Sequence, residues 1–221
     1  MRRVVVILAL LALALPMGAW ADVIATNKFG DITFSAMTGT NGMGTIGSTT
    51  VSSMGSQLAT YGKFAATAGH ALGTVSFTTG VLTSGSVSAG GMFAAGGTFD
   101  IIANSAFAKQ ISGCTSCKGT LALFTGSFTS AVNWVLDSKT GQKAVYTLSG
   151  DIAGTTWDGR STTGFTSQTI TILNSTQGAK GIGHISMGTT SLATPEPGTL
   201  GLLGTGLVGV AGLFRRKLVR S

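Results

Sequence analysis

Gly119-Thr-Leu-Ala-Leu-Phe-Thr-Gly-Ser-Phe128, Val132-Asn-Trp-Val-Leu136 and Ala144-Val-Tyr-Thr-Leu-Ser-Gly-Asp-Ile152 are short runs of aliphatic, aromatic and β-branched residues separated by glycine and small polar residues. Such residues fit a pleated, half-buried surface, and breaks at this spacing read as turns between strands. Gly73 to Leu82, Gly97 to Ala103 and Ser167 to Leu173 repeat the pattern, and Ile32-Thr33-Phe34 alternates as a short strand does. Asp137-Ser-Lys-Thr-Gly141 reads as a hairpin loop and Asp158-Gly159 as a second turn. Ala36 to Gln57 holds few large apolar residues and reads as loop or weak strand. Apart from a short helix near Gln57 to Ala68, no stretch of the body joins helical period to a capping signal. The expected fold is all-β: a single β-sandwich or jelly-roll-like domain.

The composition agrees. The 221 residues include 34 Gly, 33 Thr and 22 Ser, but a single Glu and two Cys. A coiled coil needs abundant Ala, Glu, Lys, Leu and Arg, and a disulfide scaffold needs far more Cys. Disorder driven by charge is excluded by a hydrophobic content of 43%. Gly73-Thr74, Thr79-Gly80 and Thr83-Ser84 recur as Gly119-Thr120, Thr125-Gly126 and Thr129-Ser130. In a chain so rich in these three residues, shared strand-turn chemistry accounts for this; equivalent hairpins in two sheets are the alternative.

Most of the net charge of +7 sits at the ends. Arg2 and Arg3 open the chain, and Arg215, Arg216, Lys217 and Arg220 close it. Between residues 22 and 194 eight bases are scattered singly among six acids. Nucleic-acid binding needs bases clustered on one face, so no nucleic-acid partner is expected.

Both ends read as addresses. Arg2-Arg3, the apolar run Val4 to Leu15 and the small residues Ala19 and Ala21 have the order of a secretory signal peptide cut after Ala21. As a helix that run spans about 18 Å, short of the ~30 Å hydrocarbon core. At the other end, Pro195-Glu196-Pro197 precedes the uncharged stretch Thr199 to Phe214, which runs into Arg215-Arg216-Lys217. Two prolines leave an extended, accessible segment. The stretch after them reads as a transmembrane helix whose basic end stays cytoplasmic. The expected division is therefore 1–21 signal peptide, 22–193 body and 194–221 sorting signal.

The tripartite tail of Pro195-Glu196-Pro197, apolar segment and Arg215-Arg216-Lys217 resembles the PEP-CTERM sorting signal. The resemblance covers the tail alone and implies destination rather than activity. It implies secretion by a Gram-negative, exopolysaccharide-producing bacterium and processing by exosortase, a membrane enzyme. The partners expected are therefore exosortase, signal peptidase, the membrane through the C-terminal helix, and exopolysaccharide.

The body offers little chemistry. Cys114 and Cys117, exported, read as a local disulfide pinning a loop; redox activity, a metal site and free thiols are the weaker alternatives. A zinc site needs four ligands, and His70 and His184 stand far off and alone. The six Asp residues show no Asp-x-Asp calcium pattern, and no Gly-x-Ser-x-Gly elbow marks a nucleophile. Trp134, Trp157, Tyr61 and Tyr146 read as core packing, with a sugar-stacking face as the alternative. No catalytic residue, metal ligand or cofactor is assigned. The expectation is a non-enzymatic structural or envelope protein, tethered to the inner membrane as a precursor and delivered to the cell surface or extracellular matrix. A carbohydrate-binding or adhesive module comes second and a secreted hydrolase third.

Overall fold

The structure is a computed structural model, and it describes residues 22–35, 37–38, 43–44, 46–53, 55–113, 119–173 and 182–193. The strands are β1 (Asp22–Lys28), β2 (Gly30–Phe34), β3 (Met37–Thr38), β4 (Met43–Gly44), β5 (Val51–Ser53), β6 (Ser56–Tyr61), β7 (Phe64–Ala65) and β8 (Gly73–Thr78). Then come β9 (Leu82–Ser86), β10 (Gly90–Phe93), β11 (Gly96–Ala103), helix α1 (Ser105–Ser112), β12 (Leu121–Phe128), β13 (Val132–Thr140), β14 (Lys143–Thr156), β15 (Ser161–Leu173) and β16 (Ile182–Ala193).

Eight of these close a ring, β1–β6–β8–β11–β12–β14–β15–β16 and back to β1, with every neighbour antiparallel. Others prolong the same staves past a bend. β2 pairs with β16 and β5 beyond the point where β1 pairs with β16 and β6. β13 and β10 likewise continue the β12–β14 and β11–β12 pairings. The all-β expectation holds, while the sandwich or jelly roll gives way to a closed up-and-down barrel. Strands of either architecture alternate alike in sequence; what differs is closure, which leaves the eight staves without an edge, while the short β7 and β9 each pair on one side. Here the first and last strands supply it, from Asp22↔Ala193 to Asn27↔Gly188.

The register defines two ends. Asp22, Ala193, Gly73, Ala103, Leu121, Thr156 and Ser161 lie at the base, and Ser86, Gly90, Thr140 and Lys143 at the crown. The expected helix at Gln57 to Ala68 is instead β6 and β7. Leu58 and Tyr61 are drawn inward by pairing with β1 and β8, which overrides local propensity. The helix is α1, at the base. Its N-terminus is capped by Asn104, which accepts from the Phe107 amide at 2.9 Å, and it ends at Gly113 with φ 66°. Phe107 packs edge-on against Phe64 at 5.3 Å and Tyr61 at 6.2 Å.

The interior is filled by the chain itself and is apolar apart from one cluster of polar side chains between β1, β6, β15 and β16. Phe99 lies 5.9–6.3 Å from Phe77, Phe124 and Phe128. A bulge opposite Ile101 and Ile102 turns both Leu123 and Phe124 inward. Toward the crown, Trp134 stacks on Tyr146 at 4.5 Å. The Trp134 indole donates to Val87 O at 2.8 Å and the Tyr146 hydroxyl to Ser88 O at 3.0 Å, which ties the β9–β10 turn to the core.

The outer wall is lined with hydroxyls. Thr60, Thr26, Thr189, Ser167, Ser149 and Asn133 form one cross-strand row, and Ser76, Asp100, Thr125, Thr155 and Ser161 another.

Candidate functional site

Asn27, Ser56, Thr166, Gln168 and Thr190 project into the barrel from β1, β6, β15 and β16, and all are buried. Asn27 Nδ2 donates to Ser56 Oγ at 2.6 Å and to Gln168 Oε1 at 2.8 Å. Gln168 Nε2 donates to Thr166 Oγ1 at 2.9 Å and back to Asn27 Oδ1 at 3.3 Å. Thr166 and Thr190 share a hydroxyl bond of 3.0 Å, and Ser56 donates to Val75 O at 3.1 Å. Gly30 and Gly188 make the space: a Cβ on Gly188 overlaps the Gln168 and Asn27 amide oxygens. The network is neutral and enclosed, and its members satisfy one another, so its chemistry is that of a latch across the closing seam. Among the described residues the one buried side-chain oxygen without a partner is Thr162 Oγ1. Sequence reading missed this cluster; its signal was a polar residue in the inward phase of an alternating strand, Gln168 between Thr166 and Ile170.

The carboxylates are spread over turns and outer wall. Asp137 accepts from Thr147 at 2.6 Å and Asp151 from Ser130 at 2.9 Å. Asp31 meets His184 Nδ1 at 2.5 Å, a solvent-exposed pair across the β2–β16 seam; exposed pairs contribute about 0–1 kcal/mol. Asp158 lies below the usual carboxylate range, chiefly through the hydrogen bond from Thr156 at 2.6 Å. Burial opposes that shift, and Arg160 adds to it through its backbone and its charge at 3.1 Å. Tyr61, at the end of β6, is pushed up to about 12, first by burial and then by the Asp158 charge. No three His, Cys, Asp or Glu gather among the described residues.

Trp134, Tyr61 and Tyr146 are core residues, as read from the sequence. Trp157 is not: it stands 45% exposed in the β14–β15 turn at the base. Phe29, unremarked in the sequence, is 67% exposed at φ 54°, the one positive-φ residue other than glycine among those described.

Cys114, Cys117, Ala19, Ala21, Pro195, Glu196, Pro197, Arg215, Arg216 and Lys217 lie outside the described residues, as does the expected helix of Thr199 to Phe214. Among the described residues no helix is long and apolar enough to cross a membrane. Ala193 is described, as the final residue of β16, paired with Asp22 and Thr163.

Comparison with curated proteins and with solved structures finds no match. A family model described as the PEP-CTERM protein-sorting motif matches residues 193–217. That motif implies an exported, membrane-anchored precursor processed by exosortase. The chain therefore carries a PEP-CTERM sorting motif joined directly to the last strand of a closed β-barrel.

Proposed function

We propose that this protein is a non-enzymatic component of the cell surface or extracellular matrix, exported through its signal peptide and sorted by its tail. One observation carries the reading. The sorting motif follows without a linker on a barrel whose interior is occupied by its own side chains and whose wall is lined with hydroxyls. A packed interior favours a body that serves by its outside. Hydroxyl rows at strand spacing, about 4.8 Å, suit hydrogen bonding to a hydrated polymer without strong charge. The same rows favour a second reading, a carbohydrate-binding or adhesive module, with exopolysaccharide as its partner.

Location tests the first reading. Protein expressed from the full-length sequence is expected in surface and matrix fractions of an exosortase-bearing host, and protein expressed without Thr199 onward as soluble protein in periplasm or medium. Full-length chain found in the periplasm alone overturns it. Polysaccharide that co-purifies with full-length chain and is lost on substituting Thr26, Thr189 and Ser167 moves the conclusion to the second reading.

A further inference from the structure

The sorting motif begins inside the barrel wall. Its matched residues start at 193, and Ala193 still pairs with Asp22 on one side and Thr163 on the other. Pro195 follows two residues later, so full extension carries it at most about 7 Å beyond that rung. Even a 100-residue domain has a radius of gyration of about 13 Å. An enzyme that reads Pro195-Glu196-Pro197 therefore works within two residues, along the chain, of the last rung of the barrel.

That rim has features suited to recognition. On one flank of Ala193 the β14–β15 turn presents Trp157, 45% exposed, and the half-exposed Arg160. On the other flank β6 ends beside β1, where the Gly62 amide donates to Ile24 O at 2.9 Å and Lys63 follows, exposed. The Asp158 charge acts on Tyr61, so the two flanks lie within electrostatic reach of one another. Trp and Arg are the residues that most often carry binding energy at protein interfaces. An exposed Trp at the rim adds nothing to the core, which Trp134 and Tyr146 fill from the other end.

We propose that this rim, with Trp157, Arg160 and Lys63, is a second contact surface for the membrane enzyme that reads the sorting motif, so that the enzyme recognises folded barrel and tail together. The proposal rests on the tail being processed by exosortase. It adds that the two-residue spacing is functional.

The test is the rate of tail removal from full-length chain, by pulse-chase in an exosortase-bearing host. Four chains are compared: wild type, Trp157→Ala with Lys63→Ala, a chain with ten Gly/Ser residues inserted after Ala193, and the insert combined with both substitutions. The substitutions are expected to slow removal about fivefold or more at native spacing. The insert is expected to slow it similarly and to make the substitutions silent. Thermal melting of the substituted chain checks that the barrel is intact. Faster removal with the insert overturns the proposal, because the barrel is then an obstacle. Equal slowing of both spacings also overturns it, assigning Trp157 to the lipid surface. No effect of the substitutions at native spacing overturns it as well. A wild-type chain whose tail is never removed defeats the sorting reading itself.

Discussion

The side-chain amides of Asn27 and Gln168 face each other inside the barrel in a reciprocal pair, although 141 residues separate them in the chain. They join β1 to β15 across β16, where the ring closes. Removing one partner leaves a buried polar group unsatisfied, which costs about 1–3 kcal/mol. Asn27→Ala and Gln168→Ala are each expected to destabilise by that amount, and the double variant by less than the sum. Gly188→Ala is expected to match the single losses, because its methyl displaces both amide oxygens. Denaturant unfolding of the four variants measures this; strict additivity contradicts a latch.

Two phenylalanines separate packing from strain. Phe99 is fully buried among three other rings, and Phe99→Ala is expected to cost about 3–5 kcal/mol. Phe29 has left-handed backbone and an exposed ring, with Lys28 Nζ 5.2 Å from its centroid. A left-handed side-chain-bearing residue costs about 1–2 kcal/mol, and glycine's extra flexibility returns about 0.5–1 of it. Phe29→Gly is therefore expected to leave the melting temperature unchanged or raised. A marked fall shows that the ring packs against the body.

Alkaline stability follows from Tyr61. Its folded pKa of about 12 stands above the ordinary 10.0, so its contribution is complete below pH 10 and is lost as pH rises toward 12. Tyr146, also raised by burial, acts in the same direction. Melting temperature is expected to fall over this range, and to fall less steeply in Tyr61→Phe. An alkaline limb unchanged by that substitution removes Tyr61 from the account.

Of the strands between residues 73 and 173, all but the short β9 and β10 were legible, because Val, Ile, Phe, Tyr and Leu occupy their inward positions. β1, β6 and β16 were not. Ala25, Asn27, Ser56, Gly183 and Gly188 fill their inward phase, where the space is taken by the amide latch or by close neighbours. The loop read at Asp137 to Gly141 is shorter in the structure: β13 runs to Thr140, and Gly141, at φ 58°, turns the chain with Gln142. Helix α1 went unread: Asn104 caps it and Gly113 ends it, but eight residues give little period to detect. The repeated Gly/Thr/Ser pattern falls on and around β8, β9 and β12, strands of one sheet rather than hairpins of two. The sorting tail was readable because it is a linear motif. The latch was not, because it is assembled from distant segments by the closure that periodicity leaves open.

The central claim is that the barrel is exported cargo whose tail exosortase processes, and intact-mass measurement of the accumulated chain tests it most directly. In an exosortase-bearing host the account predicts a chain that begins at Asp22 and has lost residues C-terminal to Ala193. In the same host without exosortase it predicts a chain that begins at Asp22, ends at Ser221 and sediments with membranes. A chain running from Met1 to Ser221 in the soluble fraction of both hosts contradicts it.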